Sequence, residues 1–308
     1  MAKIFPFFGI RYNPEKIRDL SEVVTPPYDI ISDEAQVAYH DRSPYNVIRL
    51  DKNLPTENDT AADNPHTRAA RYFQQWQTDG VLIEDAEPSL YVTSVAFDLN
   101  GRTITRFGLI ATVRLEPPDA GVILPHEETF SKVKSERLEL MKACHANFSH
   151  IFSVYSDQDN ALGILKSATE GQVPAEDFTD DAGHHHKVWR ITDPGIHGQV
   201  QAAFKERRLF IADGHHRYET ALNYRQWVEE NTPDFDENHP ANFIMMYLCA
   251  VEDPGLLILP THRMLPELSE NARMQLMENA GKYFDIETID RDSADPEQAK
   301  QQLNDTMT

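Results

Sequence analysis

The chain has 308 residues, of which 50 are acidic and 29 are basic, and its formal net charge is -21. A protein of this charge repels phosphate backbones, so the composition argues against nucleic-acid binding. Apolar residues make up 40% of the chain, which is enough for a hydrophobic core and argues against disorder. At roughly 100–200 residues per domain, the length predicts two domains or one large α+β unit.

The cysteines and apolar runs bear on the cellular compartment. Cys144 and Cys249 are far apart and form no CxxC motif, so neither a disulfide framework nor a structural zinc site is predicted. The best apolar run, residues 243–251, is far shorter than the roughly 18–20 residues of a membrane span. Pro6 and Arg11 interrupt the apolar N-terminus, and no small-residue cleavage site follows. We therefore expect a cytoplasmic protein that binds neither membranes nor nucleic acids.

In the first half of the chain, turn residues separate the predicted elements. The Pro-Pro pair of residues 26–27 predicts a rigid, extended turn. The β-branched segment 46–52 predicts a short strand, and residues 66–78 predict an amphipathic helix closed by Gly80. Asn100-Gly101 lies between two alternating apolar segments and predicts a β-hairpin with a type I′ turn.

The second half alternates helical and strand patterns without regular βαβ spacing. Strands are predicted at 151–155, 187–192, 208–213, 243–253 and 256–263. Helices are predicted at 135–148, 198–206, 215–230 and 269–283, with a solvated helix and loops between 157 and 183. The order favours an α+β fold with a mixed β-sheet over a doubly wound α/β fold. We expect three regions: 1–118, 119–265 and 266–308.

A strand, a glycine and a helix start follow one another in the segment ADGHHRYETA. This geometry points backbone N–H groups at an anion, and Gly214 can take the positive φ that lets a ligand approach the backbone. Arg217 falls in the first helical turn, where its charge opposes the helix dipole unless a phosphate binds. His215 and His216 are candidates for phosphate binding or proton transfer. The alternative is a helix start capped by Asp213.

A second charged segment, PHEETFSKVKSER, precedes the predicted helix at 135–148. Its candidate residues are His126, Glu127, Glu128, Lys132, Lys134 and Arg137. The acidic groups, Glu127 and Glu128, could hold Mg²⁺ while the cations hold phosphates, a division that recurs in phosphoryl transfer. The alternative is a set of surface charges that neutralise one another around a helix start.

Other candidates lie in turns and at strand ends. Asp29, displayed beside Tyr28 on the Pro-Pro turn, could deprotonate a hydroxyl or bind a metal, although the turn is also typical of an Asx-type hydrogen bond. Arg49, near the end of its predicted strand, is a candidate phosphate ligand or salt-bridge partner. His262 and Arg263 follow a predicted buried strand and a proline.

The three consecutive histidines at 184–186 suggest a metal site at first sight. Adjacent residues on a strand point to opposite faces, however, so three in a row do not easily bind one ion. We therefore favour an exposed loop at His184, His185 and His186 over a metal site.

Two resemblances follow from these motifs. GHHRYE resembles the box of the ParB/sulfiredoxin superfamily, whose members bind nucleotide phosphates at this turn. His215 replaces the nucleophilic cysteine of sulfiredoxins, so the comparison favours the free-serine kinases of that superfamily. The chain as a whole resembles the family called domain of unknown function 1015, through the segments TPPYDIIS, YNVIRLD, PHEETFSKVKSERLELMKACHANFSHIFSVYSD, ADGHHRYETAL and LPTHR. Members of that family are usually longer, so a further C-terminal segment is expected.

The residues and the superfamily resemblance together predict a nucleotide-binding, Mg²⁺-assisted phosphotransferase that acts on a small hydroxylated metabolite, with ATP or ADP as the nucleotide. The expected phosphate ligands are Arg49, Lys132, Lys134, Arg137, Asp213, Gly214, His215, His216 and Arg217. The candidate catalytic residues are Asp29, His126, Glu127 and His216. Two alternatives remain open: a phosphatase or nucleotidase, and a non-catalytic binding module controlled by a nucleotide.

Overall fold

The computed structural model describes residues 1–127, 131–258, 265, 267–286 and 298, with the backbone alone for residues 118 and 131–135. Residue contacts divide the chain into two units, 1–257 and 258–308. Among the described residues, no helix is both long enough and apolar enough to cross a membrane.

The first unit contains all of the described strands and seven of the described helices. The strands are β1 (Ile4–Phe5), β2 (Ile10–Tyr12), β3 (Leu82–Glu84), β4 (Leu90–Leu99), β5 (Arg102–Arg114), β6 (Ile123–Leu124), β7 (Ile151–Tyr155), β8 (Glu176–Thr179), β9 (His185–Ile191), β10 (Leu209–Asp213) and β11 (Phe243–Ala250). The helices are α1 (Asp33–Arg42), α2 (Ile48–Asp51), α3 (Pro65–Thr78), α4 (Ser131–Cys144), α5 (Ala161–Thr169), α6 (Pro194–Phe204) and α7 (His215–Asn231). The second unit contains α8 (Glu270–Ala280).

The described strands form a mixed sheet of nine strands in the order β6-β10-β7-β11-β5-β4-β9-β8, with β1 paired to β5. The β10–β6 and β11–β7 pairs are parallel, and the other pairs are antiparallel. This arrangement confirms the predicted α+β class with a mixed sheet. β5 lies before the predicted boundary at residue 118 and β11 lies after it, so the first two predicted regions share one sheet.

The main core lies on this sheet and follows from the apolar patterns of its strands. Leu109 on β5 and Met246 on β11 are completely buried, and Phe204 at the end of α6 packs into the same cluster. Each such side chain stabilises the fold by about 1.5–3 kcal/mol through burial. A smaller cluster around Leu50 and Trp76 joins α2 to α3. The two clusters hold the ends of β7, β10 and α2 in fixed positions.

The predicted hairpin is confirmed, because its turn chemistry is local. Asn100 and Gly101 both have positive φ, 53° and 75°, as a type I′ turn requires. The strands pair in register from Leu99 opposite Arg102. The predicted helix at 66–78 is also confirmed, as α3.

The predicted strand at 46–52 is wrong, because the segment folds into the single turn of α2. The Asn46 side chain accepts a hydrogen bond from the backbone N–H of Ile48 and donates one to the Glu22 carbonyl. The Val47 N–H also donates to the Val23 carbonyl, and the Val47 carbonyl accepts from Asp51. These anchors override the β propensity of the segment.

Other differences concern element boundaries. The helix predicted at 135–148 ends at Cys144, because His145 takes a left-handed conformation with φ of 50°. The acidic stretch between 157 and 183 contains strand β8, which was not predicted, besides helix α5. The predicted strand at 256–263 is not formed over 256–258, and the rest of that segment lies outside the described residues.

Candidate functional site

The predicted site residues come together where β10 ends and α7 begins. This junction lies beside the start of β7, and helix α4 packs against α7. The 3-10 turn of residues 28–30 reaches the same place, because the Tyr28 ring contacts side chains from both helices. We call Tyr28, Asp51, Arg137, Asp213 and Arg217 the arginine–tyrosine cluster.

Gly214 forms the turn between β10 and α7, and its φ is +94°, as expected for a glycine turn. A Cβ atom here would lie 3.0 Å from Nε of Arg217 and 3.3 Å from Cα of Ile151. The space beside this glycine is therefore filled by the Arg217 guanidinium. The approach of a ligand to the Gly214 backbone stays a prediction.

Arg217 is held in place by the protein itself. Its guanidinium donates hydrogen bonds to the Asp213 carboxylate and to the His150 carbonyl. Asp213 therefore pairs with Arg217, and the N-cap of α7 is Gly214, so the alternative of a helix capped by Asp213 is wrong. Since glycine has no side chain, the N-cap residue of α7 makes no side-chain hydrogen bond to the start of the helix.

Arg137 on α4 occupies the other side of the cluster. Its Nη1 lies 2.9 Å from Oδ1 of Asp51, and the Ser149 hydroxyl donates to Oδ2 of Asp51 at 2.6 Å. Arg137 and Asp51 are both buried, with side chains that are 8% and 10% exposed. Ion pairs removed from water in this way are costly to break, so this pair fixes α4 against α2.

Tyr28 brings the two arginines together. Its ring centroid is 3.8 Å from Cζ of Arg137 and 5.8 Å from Cζ of Arg217. The two guanidiniums repel each other, and the aromatic ring and the nearby carboxylates offset this repulsion. Burial raises the pKa of Tyr28, although the two arginines oppose this shift, so the phenol is protonated near neutral pH.

His215, the first residue of α7, connects this junction to the segment at 126–127. Its Nε2 accepts a hydrogen bond from the His126 backbone N–H at 3.2 Å, and its Nδ1 lies 3.3 Å from Oε2 of Glu127. Burial lowers the pKa of His215, with Glu127 opposing the shift, so the ring is neutral near pH 7. Nδ1 of the neutral ring then carries the proton and faces the Glu127 carboxylate. Both nitrogens are thus engaged in positioning this segment.

The other predicted residues are distributed as follows. Asp29 is exposed beside Tyr28, and its charge contributes to the raised pKa of that phenol. Arg49 donates to the His40 carbonyl at 2.6 Å and lies over the Tyr72 ring, and its phosphate contact stays a prediction. His216 follows His215 in the first turn of α7. Glu128, His262, Arg263 and the side chains of Lys132 and Lys134 lie outside the described residues.

Three residues of the site were not predicted: Asp51, Ser149 and His150. Asp51 ends the YNVIRLD motif, but the predicted strand would place it on the same face as Arg49. In a helix, residues two positions apart point in very different directions, so Arg49 and Asp51 separate. The remaining signal was the position of Asp51 in a segment with buried apolar residues, Ile48 and Leu50, where a carboxylate needs a cationic partner.

A cavity of about 1250 Å³ lies in the first unit and is lined mainly by apolar side chains. Three lining residues are neighbours of site residues in the sequence. Leu50 precedes Asp51, Phe148 precedes Ser149, and Met141 lies one helical turn after Arg137. The volume exceeds that of most small-molecule pockets. The sequence did not predict this cavity, because its walls come from segments far apart in the chain.

The fold and this junction define an α+β protein with a polar cluster at a strand–helix turn. The chain belongs to the family described as Protein of unknown function (DUF1015), whose model matches residues 4–306. This match confirms the family assignment made from the motifs. Neither the curated proteins nor the solved structures contain a match to the chain.

Proposed function

We propose that the arginine–tyrosine cluster binds the phosphates of a nucleotide, ATP or ADP, and that the protein transfers a phosphoryl group to a small hydroxylated metabolite with the help of Mg²⁺. One observation carries this proposal: two guanidiniums from different helices meet on the Tyr28 ring beside the N-terminus of α7. Arginine forks and helix N-termini are the two groups that proteins use most directly for phosphate.

Each arginine keeps donors for a ligand. A guanidinium has five N–H donors, and Arg217 uses its two terminal nitrogens for Asp213 and the His150 carbonyl. The Asp213 side chain is 53% exposed, so the cluster is open on this side and a phosphate can compete for Arg217. This exposure supports ligand binding at an otherwise buried ion pair.

The remaining roles follow the sequence-based prediction. Lys132, Lys134 and Arg137 would neutralise charge on the transferred phosphoryl group. Asp29 or Glu127 would act as the base or hold Mg²⁺, which prefers a few carboxylate oxygens together with phosphate oxygens. His216 is the candidate for proton transfer, and serine is the acceptor suggested by the superfamily resemblance alone.

Calorimetric titration with ATP, ADP, CTP and inorganic phosphate, each with and without Mg²⁺, tests the proposal. We expect one nucleotide to bind, with affinity strengthened by Mg²⁺. Arg217→Lys keeps the charge but removes the fork, and we expect it to weaken binding at least tenfold. Arg137→Lys is expected to act in the same direction.

The matched control is Arg225→Lys on the same helix. Arg225 contacts Asn242 and Glu229, away from the cluster, so nucleotide affinity should stay within twofold of the unmodified protein. Equal affinity in the Arg217→Lys and Arg225→Lys proteins, with both folded by circular dichroism, would contradict the phosphate assignment.

A nucleotide-controlled binding module is the second candidate. Arg137 and Arg217 are ion-paired to Asp51 and Asp213, so a phosphate that competes for them would disturb the contacts of α4 and α7. Turnover distinguishes the candidates. A module would bind nucleotide and change its assembly state without turnover, a phosphatase or nucleotidase would release inorganic phosphate, and a phosphotransferase would need the acceptor.

A further inference from the structure

The hairpin of β8 and β9 places three possible metal ligands together, well separated in sequence from the junction described above. Asp180, His184 and His186 each offer one ligand atom, and these atoms lie within 4.8 Å of one another. Among the residues that the structure describes, this is the one group of three or more His, Cys, Asp or Glu side chains whose ligand atoms lie this close together. The loop expected at His184, His185 and His186 is wrong for the last two, because β9 begins at His185, whereas His184 lies before the strand.

Asp180 is oriented by the turn of the hairpin. Its Oδ1 accepts hydrogen bonds from the backbone N–H groups of Ala182 at 3.0 Å and His184 at 2.9 Å. Its Oδ2 is left facing the two imidazoles, 2.8 Å from Nε2 of His186 and 3.5 Å from Nδ1 of His184. The hydrogen bonds of the turn therefore orient the Asp180 carboxylate toward the two imidazoles without a metal ion.

The two imidazoles are also held by neighbours. The Phe178 ring stacks on His186 with centroids 4.9 Å apart, and Phe97 meets His184 edge-on at 5.8 Å. His184 and His186 are two residues apart and share a face, whereas His185 points to the other face and pairs with Asp177 at 2.5 Å. Because neighbouring side chains of a strand point to opposite faces, His184 and His186 can bind one ion together, but His185 cannot join them.

We propose that Asp180, His184 and His186 form a binding site for a divalent transition metal, with Zn²⁺ as the best match. Two imidazoles and one carboxylate are a common zinc donor set, and water completes the tetrahedron. Metal–ligand bonds of about 2.0–2.1 Å put ligand atoms roughly 3.3 Å apart in a tetrahedron. The distances of 2.8 and 3.5 Å from Asp180 lie close to that separation.

Bound Zn²⁺ would fasten the turn at Asp180 to the start of β9. Since β8 pairs with β9 at the edge of the sheet, the metal would stabilise this edge. The site uses residues of one hairpin and is independent of the proposed nucleotide function. Mg²⁺ prefers oxygen ligands and should not bind here.

Titration of the tag-free, full-length protein with Zn²⁺, after chelator treatment, tests this site by calorimetry. We expect a site of one-to-one stoichiometry that Asp180→Asn, His184→Ala and His186→Ala each weaken at least tenfold. Asp180→Asn keeps an oxygen for the turn hydrogen bonds, so it separates metal binding from hairpin folding. Mg²⁺ at the same concentrations should give no binding heat at this site.

His185→Ala is the matched control, since it removes the neighbouring imidazole from the opposite face. Its Zn²⁺ affinity should stay within twofold of that of the unmodified protein. The proposal is overturned if His185→Ala weakens binding as much as His186→Ala, or if the unmodified protein binds Zn²⁺ no better than His184→Ala/His186→Ala.

Discussion

Two groups of arginines pack against carboxylates in the first unit, and the carboxylates differ in how completely they are enclosed. In one group, Asp85 faces Arg11 at 2.8 Å and Arg190 at 2.9 Å. The Tyr91 hydroxyl also donates to Asp85, at 2.5 Å, and accepts from the Gly9 N–H at 2.8 Å. The Asp85 side chain is only 2% exposed.

The arginine–tyrosine cluster has a different arrangement. Two arginines are paired with two carboxylates, and of these Asp51 is buried while Asp213 is half exposed. The arginines share the Tyr28 ring and lie beside a helix N-terminus that begins at a glycine. The carboxylate that pairs with Arg217 thus reaches solvent, whereas the Asp85 carboxylate is enclosed.

The difference shows why a buried arginine alone does not indicate a binding site. Around Asp85, hydrogen bonds from Arg11 and Tyr91 outweigh the effect of burial and hold the pKa of the carboxyl below its ordinary value. The Asp85 carboxylate is therefore held by partners within the protein. In the arginine–tyrosine cluster, the proposed exchange with a ligand depends on the exposed partner of Arg217.

The largest effect is expected for Asp85→Asn. This change removes the carboxylate that two partly buried arginines share, and only Arg11 keeps a second one, Glu176. We therefore expect the free energy of unfolding to fall by about 3 kcal/mol. Urea unfolding followed by circular dichroism measures it. The nucleotide affinity of the folded fraction should not change, since Asp85 is not part of the proposed site.

Asp181→Asn is the control for that substitution. Asp181 pairs with Arg42 at 2.8 Å but its side chain is 54% exposed, so the loss should stay below about 1 kcal/mol. Similar losses in both variants would show that the Asp85 group is not the structural centre that its enclosure indicates.

The sequence predicts those parts of the fold whose chemistry is local. The Asn100-Gly101 turn sets its own backbone angles, so the hairpin followed directly from the dipeptide. Segment 46–52 is the opposite case, since contacts of Asn46 and Val47 with residues 22 and 23 decide its structure. Sheet order was likewise not predictable, because pairing of β5 with β11 joins segments more than a hundred residues apart.

The same distinction applies to the candidate site. Gly214 and Arg217 were found because a glycine between a strand and a helix is a local pattern. Asp51 and Ser149 were missed because their importance depends on Arg137, which reaches them from α4. The arrangement of the histidines at 184–186 depends on where β9 begins, and the sequence did not predict that residue.

The pH dependence of stability also depends on the arginine–tyrosine cluster, because the pKa of the neighbouring His150 is lowered. The His150 carbonyl accepts from Arg217, and burial, aided by the Arg217 charge, lowers the pKa of its imidazole to about 4. Between pH 6.5 and 4 the unfolded chain binds a proton that the folded chain does not. The free energy of unfolding therefore falls with decreasing pH, by about 1.4 kcal/mol per unit from this group.

His150→Phe should remove that contribution. We expect the difference in unfolding free energy between pH 7 and pH 5 to shrink by about 2 kcal/mol relative to the unmodified protein. Urea titrations at pH 7, 6 and 5 measure it. An unchanged pH dependence would mean that His150 is protonated in the folded protein and is not shielded by the cluster.

The smallest effects separate the two tyrosines, because Tyr91 acts through its hydroxyl and Tyr28 contacts the arginines through its ring. Tyr91→Phe leaves the Gly9 N–H without its partner and removes one hydrogen bond to Asp85, so it should cost about 1–2 kcal/mol in urea unfolding. Tyr28→Phe keeps the ring and should change stability and nucleotide affinity little, whereas Tyr28→Leu loses both cation–π contacts and about 1 kcal/mol. If Tyr28→Phe abolished nucleotide binding or turnover while remaining folded, the phenol would take part in the site directly. The role of Tyr28 would then extend beyond its ring contacts with the two guanidiniums.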